Sequence, residues 1–326
     1  MKAQMHFMAG LPRSGSTVLA AILNQNKDTH VSTTSGLLYA LDGLVTTRAA
    51  TPLKDDEMNH KVLTNTMLGV IEAFYEDVDS PVIIDKNRGW PLPEIMKAIS
   101  QVIGDKPKII ATVRSVPDCM ASFVRVANPD NLDDFIYSGK LSDNLRSSYI
   151  SLQAGYTLAP ECFCIIEYDD LIADPKSQLD RIHAFLGLTD FEYNFTDIDG
   201  SSVKEDDEEL YGYAGMHDIA PVLAKQHNED PRDVLKHHYT TFCQPEFWLD
   251  TPRTTPEVHD LDLQLAAAQK GNFSEAWELA KKIEKKEPNN HRAAFNRGWY
   301  LLRQGKIQEG YQLMDRGRIA GVFGNP

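Results

Sequence analysis

The stretch Gly10-Leu11-Pro12-Arg13-Ser14-Gly15-Ser16-Thr17 decides how the rest of the chain is read. Before it, Met5 to Ala9 is a short apolar run suited to a buried strand. After it, Val18, Leu19, Ile22 and Leu23 recur at the spacing of one helix face. A strand, a glycine-bearing loop and a helix make a cradle for an anion, because backbone N–H groups and the positive helix end converge there.

The loop departs at one informative place from the nucleoside-triphosphate pattern G-x-x-x-x-G-K-[ST]. Gly10, Gly15 and Thr17 fit it, but Ser16 stands where that pattern carries lysine. The cation within the loop is Arg13 instead. An anion can still be held, while the lysine that reaches outer phosphates is missing.

Outward from the loop, strands and helices alternate. Val82 to Asp85 reads as a strand ending in Lys86, Asn87 and Arg88, and Lys108 to Val113 as a strand ending at Arg114. A further strand is expected over Cys162 to Glu167. Helical spacing is found in Leu37 to Val45, Leu53 to Asp77, Leu145 to Leu158 and Pro175 to Leu188, with Pro91 and Pro117 opening two more helices. Asn24 to Thr34 reads as a polar turn, Asp130 to Ser142 as an irregular acceptor loop or lid, and Asp170 to Ala173 as a turn. Glu205 to Glu209 reads as a solvated acidic loop, and Tyr211 to His227 as irregular structure over the active edge of the sheet. The alternation predicts an α/β fold with a mainly parallel sheet flanked by helices.

The last part of the chain is different. Gly271-Asn272-Phe273-Ser274-Glu275-Ala276 aligns with Gly305-Lys306-Ile307-Gln308-Glu309-Gly310 at an offset of 34, the tetratricopeptide period. A small all-α, tetratricopeptide-like module is therefore expected over 254–326, after a proline-bearing linker and an α/β domain over 1–253. From Glu257 onward there are 11 Lys+Arg and 9 Asp+Glu, a net +2, so the rest of the chain carries −16 of the overall −14. An acidic body disfavours nucleic acid as a partner.

Cys119, Cys162, Cys164 and Cys243 show no metal-ligand spacing and read as free thiols of a cytoplasmic protein. No apolar run is long enough for a membrane span, and the early first strand leaves no room for a signal peptide. His237-His238 lacks further ligands at a zinc spacing, so no metal is expected. His183 reads as a packing residue on its helix.

Several motifs together resemble the sulfotransferases that use 3′-phosphoadenosine 5′-phosphosulfate (PAPS), of the bacterial and tyrosylprotein-like P-loop type. PRSGST resembles their 5′-phosphosulfate loop. Arg114 and Ser122, eight residues apart after a strand, resemble the pair that holds the 3′-phosphate. Lys86 looks like the catalytic lysine, and Glu167-Tyr168-Asp169-Asp170-Leu171 with Phe185-Leu186-Gly187 resembles a further family segment. The resemblance spans Phe7 to Leu188. It implies PAPS as donor, 3′-phosphoadenosine 5′-phosphate (PAP) as product, and cofactor contacts from Arg13, Ser14, Gly15, Ser16, Thr17, Arg114 and Ser122.

The base departs from the family pattern. Cytosolic members carry histidine two residues after the lysine, where this chain has Arg88. Tyrosylprotein-type members carry glutamate near the position of Thr34. Asp42 and His217 are the remaining nominations, with Asp42 favoured by chain position. The acceptor, whether sugar, small alcohol, lipid or peptide, is not legible. A metabolite kinase would share the cradle but needs the loop lysine. A non-catalytic adaptor would use the repeat helices for a protein partner.

Overall fold

The computed structural model describes residues 3–50, 57–137, 139–204, 207–224, 229–249, 264, 267, 272–286 and 291–319. The chain forms two compact units, Met1–Arg114 with Asn144–Asn228, and Ser115–Asp143 with Glu229–Pro326. The expected boundary between 253 and 254 lies outside the described residues.

In chain order the first elements are β1 (Gln4–Gly10), α1 (Ser16–Leu23), β2 (Thr29–Thr34), α2 (Leu37–Ala50), α3 (Glu57–Phe74), β3 (Val82–Lys86), α4 (Pro93–Ile103) and β4 (Ile109–Val113). There follow α5 (Val116–Ala127), α6 (Leu132–Tyr137), α7 (Lys140–Leu158), β5 (Phe163–Glu167), α8 (Tyr168–Ala173), α9 (Pro175–Leu186), α10 (Asp207–Tyr211) and α11 (Pro231–Leu235). The last helices are α12 (Phe273–Lys286), α13 (His291–Arg303) and α14 (Ile307–Ile319).

The first unit is an α/β layer structure around a five-stranded sheet in the order β2-β3-β1-β4-β5, with every pair parallel. Strands β3 (VIIDK) and β4 (IIATV) are buried at every position. Such continuous burial is the mark of a parallel sheet covered on both faces. On one face Met8, Ile84, Ile110 and Ile166 pack with α1 residues Leu19, Ile22 and Leu23 and α9 residues Leu179, Ile182 and Leu186. On the other, Phe7 meets Trp90 with ring centroids 4.4 Å apart. The chain runs from β1 to one side of the sheet through β2 and β3, then returns to the other side for β4 and β5. Strand β1 is thus the switch point, where open α/β sheets place their ligands at the carboxyl ends.

Three expectations are corrected. The polar turn expected over Asn24 to Thr34 contains edge strand β2. Its sequence THVSTT buries Val31, and Asn24 pairs both ways with the Val31 backbone at 2.7 and 3.0 Å. β-Branched residues with Thr29 and Val31 buried suffice for an edge strand, although its polarity hides it. The irregular segment Asp130 to Ser142 is mostly helical, with α6 started by Asn131 Oδ1, which accepts from Asp133 and Asp134 N–H. The acidic run is not all solvated either: Asp207 is buried at the start of α10.

In the second unit, α5 is capped by Ser115, whose hydroxyl accepts from the Asp118 N–H at 3.3 Å. Ala276, Ala280 and Tyr300 form a small core with Phe273, Trp277 and Trp299. Helices α13 and α14 touch at Gly298 and Gly310, where a Cβ on Gly298 would lie 2.5 Å from the Gly310 carbonyl oxygen. The C-terminal region is helical as expected; Gly271, used for the repeat register, lies outside the described residues. None of the described helices is long and apolar enough to cross a membrane. The four cysteines are free thiols.

Candidate active site

The loop that leaves β1 is shaped by close backbone approach. Gly10 has φ 131°, and a Cβ there would lie 2.1 Å from the Thr112 carbonyl oxygen of β4. The same oxygen accepts from Leu11 N–H at 2.9 Å. Ser14 is fully buried, and its hydroxyl lies 2.6 Å from Leu11 O, 2.9 Å from Thr112 O and 2.7 Å from Thr112 Oγ1. That hydroxyl holds the loop to β4, so what Ser14 can present to a ligand is its backbone. Gly15 caps α1 in the left-handed region at φ 91°. No side chain caps α1, and no acidic residue sits in its first turn, where Ser16 and Thr17 are half-buried. The positive end of the helix is therefore met neither by a side-chain cap nor by an acid of its own first turn.

Lys86 ends β3, in register with Met8 of β1. Side chains two apart on a strand share a face, so Lys86 lies on the side of Val82 and Ile84, which carries α1. Asp85 points the opposite way. Its buried carboxylate accepts from Tyr75 Oη at 2.5 Å and Trp90 Nε1 at 2.8 Å. Burial pushes the Asp85 carboxyl above its ordinary range, while hydrogen bonds from Ser35, Tyr75 and Trp90 pull it back. Asp85 thus belongs to the opposite layer. One small cleft is lined by Met8, Ala9, Gly10, Ser16, Thr34, Lys86, Asn87 and Arg88. It joins the loop, the first turn of α1 and the carboxyl ends of β1, β2 and β3.

Arg114 follows β4 directly, and its guanidinium lies over the Tyr168 ring, 4.6 Å from the centroid. Tyr168 follows β5, and a Cβ on Gly15 would lie 2.8 Å from its Cδ2. One tyrosine face thus carries the arginine while the ring packs against the loop. Tyr168 stands within the segment Glu167-Tyr168-Asp169-Asp170-Leu171, where the resemblance assigns it no role. The signal was there: an aromatic residue one step beyond a buried strand, on the same sheet edge as the loop.

The remaining nominations fall in different places. Ser122 is half-buried on α5, in the second unit. Asp42 is exposed on α2, and neither it nor His217 lines the cleft described above. The segment holding His217 does meet the loop: the Arg13 guanidinium donates to the Met216 carbonyl, and Arg13 adopts a left-handed φ of 64°. His217 is clamped by Asp207, whose carboxylate accepts the His217 backbone N–H at 2.7 Å and meets Nδ1 at 2.5 Å. Both side chains are nearly enclosed, at 10% and 8% exposure. Asp207 was not nominated from sequence, because it stands in a run of acids. His183, expected to pack, is buried on α9 and hydrogen-bonds Tyr193 Oη at 2.8 Å.

A fully parallel sheet with a glycine-bearing loop at its switch point is an α/β frame of the P-loop type. A model described as the sulfotransferase family matches residues 6–192, more than half the chain, and the chain belongs to that family. Among solved structures it is similar to a sulfotransferase domain from the curacin biosynthetic pathway, at 14% identity over 83% of this chain and 98% of that one, with a TM-score of 0.44. It is likewise similar to a sulfotransferase from Alicyclobacillus acidocaldarius, at 16% identity over 64% and 90% of the two chains, with a TM-score of 0.42. A mouse sulfotransferase complexed with PAP gives 15% identity over 76% and 80%, with a TM-score of 0.38. Comparison with curated proteins gives no match.

Proposed function

We propose that the chain transfers a sulfuryl group from PAPS to a hydroxyl or amine, releasing PAP. The observation that carries this reading is the cleft shared by the loop (Gly10, Ser16) and Lys86. The residues fit an anionic donor: Gly10 and Gly15 let the loop pack closely against Thr112 and Tyr168, where a Cβ would clash, and α1 offers an uncapped, acid-free N-terminus. PAPS supplies an activated sulfuryl group on a phosphate leaving group.

In this reading the backbone N–H groups of Ser14 to Thr17 hold the 5′-phosphate end. Lys86 meets the charge that grows on the leaving phosphate oxygen, a task for a preorganised cation. Arg114, steadied on Tyr168, holds the 3′-phosphate through its planar fork. Arg13 shapes the loop and ties it to Met216. For the base, the clamp on His217 favours it over exposed Asp42. With Asp207 on Nδ1, that nitrogen keeps its proton and Nε2 is the atom that can accept one. The acceptor oxygen or nitrogen forms its bond to sulfur, the bond from sulfur to the phosphate oxygen breaks, and the acceptor proton passes to Nε2.

Thermal unfolding with PAP, with ATP–Mg and with neither tests the donor. A ligand at about 100 times its Kd stabilises by about 2.7 kcal/mol. Stabilisation by PAP and not by ATP–Mg is expected, since Ser16 replaces the lysine a kinase needs. The opposite pattern would replace this reading with a kinase.

A further inference from the structure

Within the second unit, three residues that could ligate a metal converge from distant parts of the chain. Asp133 lies in the first turn of α6, its backbone fixed by the Asn131 cap at 3.0 Å. His237 and His238 lie in the 3₁₀ turn Lys236–Phe242. His238 Nε2 is 2.6 Å and His237 Nε2 3.2 Å from the same Asp133 Oδ1. One ligand atom from each residue lies within 4.8 Å of the others. The imidazole centroids are 4.0 Å apart, and the edge of Tyr137 closes one side, 5.2 Å from His238. His238 is only 1% exposed, whereas His237 and Asp133 are open to solvent at 29% and 27%.

We propose that Asp133, His237 and His238 form a binding site for a divalent transition metal of the zinc class. Two imidazoles with one carboxylate suit zinc, cobalt or nickel, whereas magnesium and calcium prefer oxygen alone. Metal–ligand bonds of about 2.0–2.2 Å in a tetrahedral site place neighbouring ligand atoms about 3.3 Å apart. The 3.2 Å separation already meets this. The 2.6 Å contact must open by roughly 0.7 Å as the ion replaces the hydrogen bond. Each neutral imidazole would ligate through Nε2 with its proton on Nδ1. The exposed side of His237 and Asp133 leaves the fourth position to water. The buried His238 anchors the ion, which would staple α6 to a turn more than 100 residues away in sequence. The expectation of no metal rested on the lack of a third ligand near His237-His238, and Asp133 is that ligand.

The test is a cobalt titration of the tag-free full chain after chelator treatment. One equivalent should bind, with the visible absorption of tetrahedral cobalt, and zinc should displace it. His237→Ala and Asp133→Asn change solvent-open side chains, and each should weaken binding at least tenfold with an unchanged circular dichroism spectrum. Absence of saturable binding, or full affinity in both variants, overturns the proposal. If a variant does not fold, X-ray absorption on the cobalt-loaded wild-type chain decides alone. Two imidazoles in the metal's shell support the site, and any other number refutes it.

Discussion

Replacing Tyr168 separates two explanations of Arg114. The arginine could reach a phosphate unaided, or it could depend on the ring beneath it, 4.6 Å away. A cation over an aromatic face is worth about 0.5–2 kcal/mol, depending on how far it is withdrawn from water. If that contact holds Arg114 in its binding pose, Tyr168→Ala should raise the Kd for PAP by about 2- to 30-fold. Tyr168→Phe keeps the face and should stay within about twofold of wild type. Arg114→Ala removes a charged hydrogen-bond donor and should cost about 1.5–3 kcal/mol, roughly 10- to 150-fold in Kd. The double variant separates the routes. If Tyr168 acts only through Arg114, it should bind about as weakly as Arg114→Ala alone; if Tyr168 acts independently, the losses should add. The ring also packs beside Gly15, so additive losses would point to the loop. Isothermal titration calorimetry with PAP reads all four proteins. Wild-type affinity in Tyr168→Ala, or an equal loss in Tyr168→Phe, refutes the platform.

Other outcomes follow from the same geometry. Lys86→Ala should lower kcat by about 10²-fold or more with PAP affinity nearly unchanged; loss of affinity with kcat intact would make Lys86 a binding residue. Asp207→Asn keeps the shape of the His217 clamp but removes its charge, and should lower kcat by at least about tenfold while calorimetry finds PAP binding intact; an unchanged kcat removes His217 as base. Gly10→Ala must force the loop away from Thr112, and a loss of at least about 2 kcal/mol in urea unfolding is expected, against a near-neutral result if the loop is pliable. His6 is held neutral by burial and by the charge of Lys108, its pKa lowered from 6.5 to about 4. The folded chain thus binds fewer protons than the unfolded one, so stability is present above pH 6.5 and is lost as pH falls toward 4, by up to about 1.4 kcal/mol per unit. His6→Gln should flatten that slope, and an unchanged slope would show that His6 does not carry it.

What could be read from sequence was whatever sits one or two residues beyond an apolar run. Gly10, Lys86, Arg114 and Tyr168 each end or directly follow a strand, so the strand pattern alone put them on one sheet edge. Strand β2 escaped because an edge strand with one buried valine carries too little apolar signal. Asp207 escaped because a buried carboxylate among exposed acids looks like its neighbours, and only the pairing with His217 distinguishes it. Asp133 escaped for another reason: sequence spacing finds metal ligands within one segment, whereas this one arrives through the fold. The hydroxyl of Ser14 was legible as a residue but not as an orientation. Three polar contacts turn it inward, and no spacing rule encodes that.

The loss of lysine from the loop and the gain of lysine at the end of β3 are parts of one arrangement. In a triphosphate loop the lysine belongs to the first turn of the helix and approaches the phosphates from the same side as the loop N–H groups. Here that turn offers Ser16, and the cation comes from the neighbouring strand. The cleft lined by both places Lys86 across from the loop. A group held by the loop is then met by positive charge from two directions, with Arg88 on the lysine side as well. A lysine only 6% exposed would be costly inside an apolar layer. At the carboxyl end of β3 it instead lines the cleft that the loop also lines. In the proposed transfer such placement would serve the charge that builds on the leaving oxygen, because the ammonium is already in position and little solvent must reorganise. On this reasoning Lys86→Arg, which keeps the charge but spreads it over a larger planar group, should not restore the kcat lost in Lys86→Ala. Full recovery of kcat in Lys86→Arg would mean that the site needs only a positive charge at this edge and not a compact one.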